Sequence, residues 1–204
     1  MLNRWSDQDA ARFIARYATR WGDALALRTY SSRLLGAESS LVLHGGGNAS
    51  VKGAWRTVLG EQVPAVFVKA SGFNMASIEP DGHPALDLEV LLRLRALDDM
   101  ADDAMVNEVR RALFESRGPN PSLETLVHAF LPGVFIDHTH ADAILTLTNQ
   151  RDGAALVRDA LGDAATVLPY EEPGFRLAKA SVAAAGAAPG TRCLVLMKDR
   201  KSVV

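Results

Sequence analysis

His138 and His140 stand two residues apart in a run rich in β-branched and aromatic side chains, VFIDHTH. Alternate residues of a strand share a face, so both imidazoles can aim at one ion while Thr139 points away. Zinc takes neutral imidazole ligands at low coordination number and leaves a position for substrate. Two separately hydrogen-bonded histidines near a strand end would show the same spacing. Glu124 and His128 are four residues apart and fall on one helical face. A carboxylate near the ion can remove and return a proton, whereas a glutamate in a first helical turn is also favoured by the helix dipole alone. His128 reads as a structural hydrogen-bonding residue rather than a ligand. Asp137 faces away from the ligand side of an unbroken strand. Asp137 or Asp142 can orient a ring nitrogen or sit in solvent.

A second group of residues suits anions. Gly45, Gly46 and Gly47 permit close backbone approach, and Asn48 and Ser50 add polar groups, so the loop can act as an anion nest or as an ordinary turn. It has neither the lysine spacing of a Walker loop nor a dinucleotide fingerprint. Ser71 and Gly72 form a similar turn after a strand, and Lys69 can serve the same pocket or face water.

These residues need elements to position them. Ser6, with Asp9 three residues on, resembles a helix cap. Phe13, Ile14, Tyr17 and Trp21 follow at helical spacing up to Gly22. A second helix is expected over 24–35, a short strand over 41–43, and a strand pair whose clearest member is 65–68. Helices are expected over 87–97 and 101–114, then one over 123–130 capped by Ser122. The histidines should lie on a strand over 134–140. Helix-like runs near Gly162, a strand over 166–168, a helix over 175–185 and a central strand over 193–197 complete the pattern, which is mixed α/β in layers.

Composition sets outer bounds. The chain has 204 residues and a net charge of −2, so nothing points to nucleic acid or a membrane surface as partner. The single cysteine, Cys193, reads as a buried small hydrophobe, and its use suggests a cytoplasmic protein. No stretch approaches the ~20 apolar residues of a membrane span.

Together the blocks Gly46-Gly47-Asn48-Ala49-Ser50, Val68-Lys69-Ala70-Ser71-Gly72, Pro121-Ser122-Leu123-Glu124 with His128, and His138-Thr139-His140 resemble the class II aldolase/adducin N-terminal family across most of the chain. The triple glycine, the Lys-Ala-Ser-Gly block and residues 169–174 are most similar to the rhamnulose-1-phosphate-aldolase-like part of bifunctional aldolase/short-chain-dehydrogenase proteins. The resemblance implies a three-layer α/β fold with a mainly antiparallel central sheet flanked by helices. It implies Zn2+ on His138 and His140, proton handling by Glu124, and substrate phosphate held by Asn48, Ser71, Gly72 and Ser122. Leu123 replaces the second serine common in phosphate-using members. Asp199 stands where a third zinc histidine is expected, which suggests one domain over 1–204 that is truncated or altered at its C-terminus.

The implied activity is zinc-dependent cleavage of a ketose or ketose 1-phosphate through an enediolate, by a homo-oligomer such as a tetramer. The same centre would suit an epimerase, decarboxylase or dehydratase, and an adducin-like assembly module without catalysis is the competing class. No NAD is implied.

Overall fold

Alternation along the strands sets the architecture. The computed structural model describes residues 3–44 and 46–198. β1 (Asn48–Arg56) and β2 (Gln62–Val68) form an antiparallel pair with Ser50 opposite Val68 and Lys52 opposite Val66. β3 (Ala85–Asp87) adds to β2 and β4 (Phe135–His138) adds to β1, giving an antiparallel sheet in the order β3-β2-β1-β4.

Residues opposite one another across a ladder share a face, so the register sorts every side chain. One face carries Val66, Val68 and Leu86. They pack with Leu91, Met105, Val109, Leu126, Phe130 and Phe175 from α3 (Leu88–Arg93), α4 (Asp102–Arg111), α5 (Thr125–Phe130) and α8 (Phe175–Ala187). The opposite face carries Val51, Ala65, Phe67 and Ala85 against Leu25. Leu25 belongs to α2 (Asp23–Gly36), on which α1 (Asp7–Trp21) rests. The sheet is thus held between helical layers, the expected three-layer arrangement.

Several elements differ from expectation for local reasons. No strand forms over 41–43. The N–H groups of Leu41 and Val42 both donate to the Glu38 carbonyl, and Val42 packs beside Ala49 and Met75. The strand begins instead inside the glycine-rich loop, at Asn48. Helix 123–130 starts only at Thr125, and Ser122 is not its cap residue. Its hydroxyl accepts from the Glu124 N–H at 3.2 Å and its carbonyl from Thr125, closing a turn ahead of the helix. The helix expected over 87–97 is capped by Asp87 and tightens to a 3-10 turn after Arg93.

After β4 come α6 (Asp142–Thr148), α7 (Gly153–Leu161) and β5 (Thr166–Leu168). β6 (Leu194–Leu196) is not central: it pairs in parallel with β5 in a separate two-stranded sheet. Cys193 is exposed rather than buried, because it lies before β6 begins and only Val195 of that strand is buried. Among the described residues no helix is long and apolar enough to cross a membrane.

Candidate active site

Strand parity brings the candidate residues together. Asn48 lies opposite His138 across the β1–β4 ladder, so both side chains fall on the face covered by α5, together with Ser50 and Lys52. Glu124 ends the loop that leads into α5. Its Oε2 accepts from His138 Nδ1 at 2.8 Å and from the Asn48 side-chain amide. One turn later, buried His128 meets Ser50 Oγ at 2.7 Å through Nδ1 and Asn48 Oδ1 through Nε2. Lys52 donates to the Leu131 carbonyl at the far end of the helix, a favourable place for a cation. A polar stripe on β1 therefore grips α5 at its start, middle and end.

The strand carrying the histidines is shorter than the expected 134–140. β4 ends at His138, and the His140 N–H donates to the Leu41 carbonyl at 3.0 Å. The two rings still meet, with centroids 4.9 Å apart and planes at 65°. Glycine lets the loop before β1 pass close to the end of β4. Gly47 has φ +63°, and a Cβ there would lie 2.8 Å from the His138 carbonyl oxygen.

The electrostatics follow from burial and neighbours. Burial alone would push the Glu124 carboxyl up. The hydrogen bond and charge of His138, with the Asn48 amide, hold it down to about 2. It is therefore an ionised acceptor for the His138 Nδ1–H. Burial holds His128 down to about 3, so this ring is neutral. Lys69 is buried and points into the protein. Its burial lowers its pKa, against the pull of the Glu124 charge.

Asp137 lies on the opposite face, as its parity requires. Arg28 of α2, 1% exposed, meets it at 2.6 Å and also donates to the Ser50 carbonyl. Sequence reasoning missed Arg28. The only local sign was a charge within the largely buried run Leu25–Tyr30 of an otherwise apolar helix face. Asp142 opens α6, with its N–H on the Ser40 carbonyl.

The residues expected at phosphate separate into two sets. Ser71 and Gly72 are exposed, and the Ser71 N–H donates to the Asn120 carbonyl at 3.0 Å, which ties that turn to the loop bearing Ser122. Gly72 has φ +79° with open space where a Cβ would stand. Asn48 is only 5% exposed and both ends of its amide are engaged inside the protein. An open cleft lined by Phe73, Asp81, Phe114 and Arg117 borders the Ser71–Gly72 turn and does not include the histidines.

Two adjacent imidazoles fit zinc in donor type. Catalytic zinc ordinarily takes three protein ligands, and among the described residues no group of three or more His, Cys, Asp or Glu side chains is placed to hold a metal ion. Asp199 lies outside the described residues.

Comparison with known proteins identifies relatives of the chain and of its fold. Residues 28–199 match the family described as Class II Aldolase and Adducin N-terminal domain. A Bacillus subtilis (strain 168) protein described as the uncharacterized oxidoreductase YuxG is 33% identical over 175 residues, 86% of this chain. The chain spans 25% of that relative's length. The solved N-terminal class II aldolase domain of a conserved Thermoplasma acidophilum protein superposes with a TM-score of 0.82 at 36% identity, covering 98% of this chain and 86% of that one. An aldolase II superfamily protein from Pseudomonas syringae shares the fold alone, with TM-score 0.51, 11% identity, and coverage of 91% and 67%.

Proposed function

The chain belongs to the class II aldolase and adducin N-terminal domain family, and we propose that it is a zinc-dependent aldehyde-lyase cleaving a ketose or ketose 1-phosphate through an enediolate. The observation that carries this reading is the ionised Glu124 carboxylate hydrogen-bonded to His138, with the His140 ring beside it. His138 and His140 would hold the metal. A divalent zinc there supplies Lewis-acid polarisation of the substrate carbonyl.

Glu124 handles the proton. In cleavage of a ketose 1-phosphate the C3–C4 bond breaks. The C4 hydroxyl passes its proton to the ionised Glu124 carboxylate as C4 becomes an aldehyde, and the electron pair of the broken bond passes into a C2–C3 enediolate. Glu124 then delivers that proton to C3; in the reverse direction its carboxylate takes the C3 proton. Ser71, Gly72 and Ser122 would hold the phosphate, since they lie on two loops tied together at the open side. Asn48, engaged internally, would serve the carboxylate rather than the phosphate.

The wider assignment has the same standing. Residues 1–204 are one aldolase-like domain, similar to the rhamnulose-1-phosphate-aldolase-like part of bifunctional proteins, and form a homo-oligomer. The match to a quarter of a longer relative is consistent with such a part. Sedimentation of the purified chain tests the oligomer.

Cleavage of a ketose 1-phosphate at C3–C4 yields dihydroxyacetone phosphate, which makes a direct probe. Zinc-loaded protein should exchange its C3 proton in D2O, followed by 1H NMR. Glu124→Gln should bind the same zinc per chain and lose ~100-fold or more in exchange, the usual scale for a general acid–base. Zinc-bound Glu124→Gln with unchanged exchange would refute the role. Product analysis over several ketoses and their phosphates separates cleavage from epimerisation, decarboxylation or dehydration.

A further inference from the structure

Behind Glu124 runs a hydrogen-bond chain whose direction chemistry dictates. The Glu124 carboxylate only accepts, so the group of Asn48 that meets it must be the amide NH2. A flipped Asn48 would set a carbonyl oxygen against a carboxylate oxygen. With Nδ2 committed, Asn48 turns Oδ1 to His128 Nε2, and a carbonyl oxygen accepts only from N–H. His128 Nε2 therefore carries the proton, and Nδ1 accepts from the Ser50 hydroxyl 2.7 Å away. Ser50 is itself fully buried, and its carbonyl takes Arg28 Nη1 at 3.3 Å. Ser50, His128 and Asn48 are all 5% exposed or less, so water does not compete for these bonds.

We propose that His128 is a positioning residue for the reaction: held as the neutral Nε2–H tautomer between Asn48 Oδ1 and the Ser50 hydroxyl, it fixes the Asn48 amide, which in turn aims the Glu124 carboxylate. The assignment rests on the reading of Glu124 as the proton-handling group. His128 never meets substrate. Its effect runs through Asn48 to one carboxylate oxygen, and a chain of this kind acts as a unit rather than as separable contacts.

Two measurements test it. The first needs no activity: 15N-edited NMR of histidine-labelled protein at neutral pH should show a buried, neutral ring protonated on Nε2 that is lost in His128→Leu and His128→Gln and so belongs to His128. A ring protonated on Nδ1, or a doubly protonated one, overturns the relay. The second is deuterium exchange of dihydroxyacetone phosphate by the zinc-loaded variants. His128→Leu should lower kcat roughly 10–100-fold with KM little changed. His128→Gln, whose amide can offer an N–H toward Asn48, should recover most of it. In the Glu124→Gln background, His128→Leu should cost nothing further. Equal losses in the Leu and Gln variants, no loss in the Leu variant, or a full additional loss in the Glu124→Gln background would each overturn the proposal. Normal Glu124-dependent exchange with the wrong tautomer removes the relay and spares the lyase reading. Exchange unaffected by Glu124→Gln removes both.

Discussion

Glu124 Oε2 receives two hydrogen bonds, one from each neighbouring strand of the sheet, His138 on β4 and Asn48 on β1. A single oxygen so held has little freedom to turn. Beside it, Gly47 lets the loop before β1 pass close to the His138 backbone. Gly47→Ala combines a positive φ with a Cβ at 2.8 Å from the His138 carbonyl, so unfolding free energy should fall by about 1–3 kcal/mol, read from urea melts. An unchanged midpoint would mean that the loop can lift away from β4. Zinc provides a second check at this scale. If His138 and His140 bind the ion in the native state alone, saturating zinc should raise the melting temperature of chelator-stripped protein. His140→Ala should abolish the rise, and equal rises in both proteins would place the ion elsewhere. The His138–His140 and Glu124–His128 spacings were legible in the sequence because near neighbours report one another, whereas the meeting of Glu124 with His138 was implied only by the family resemblance. Arg28 was not legible, since its partner Asp137 is distant in the chain and no local period links them.

Among the elements, α5 bears the most consequence for its length. Its six residues bury Leu126, Ala129 and Phe130, and Phe130 packs edge-on to Phe175 of α8 at 6.4 Å. An isolated helix this short would not persist in water; packing and the β1 stripe keep it formed. Leu126→Ala should cost about 2–5 kcal/mol by cavity formation. It should also lower exchange activity in protein that is still folded, because Glu124 sits at the helix's start. A stability loss with full activity would separate the loop before α5 from the helix itself. Helical periodicity made α1 readable, and the apolar run Ala65–Val68 did the same for β2. β1 was read as loop at its beginning because Asn48, Ser50 and Lys52 put polar groups on a sheet face that would otherwise be apolar. Local rules fail most readily where a face is used for chemistry. β6 was misplaced as a central strand for a different reason: a three-residue strand carries no pattern that says which sheet it joins.

Across the whole molecule, two histidines are stored uncharged. Burial is the main cause for both His83 and His128, each held at about 3, and Arg28 and Lys69 face His83 as further positive charges. An unfolded histidine titrates near 6.5. Between these values the unfolded chain binds the additional proton, so stability is fully present above pH ~6.5 and declines as pH falls toward 3. Each histidine contributes about 1.4 kcal/mol per pH unit in that window. Urea unfolding from pH 6 to pH 4 should show this acid-side slope, and His83→Gln should remove about half of the histidine contribution. A variant with the wild-type slope would mean that His83 is protonated in the folded state. The layered α/β fold followed from the alternation of elements along the chain, but the side that each histidine faces depends on a three-dimensional register that composition does not encode.

That register has a bearing on how β4 tolerates change. Asp137 meets a guanidinium below the sheet and His138 meets a carboxylate above it. Inserting or deleting one residue between Val134 and Asp137 would exchange their sides, setting carboxylate against carboxylate and imidazole against guanidinium. The wrong threading is thus penalised twice by charge, at an outermost strand with a single neighbour to guide it. Length variants of this stretch should be far less tolerated than those of the exposed turn around Val58 and Leu59.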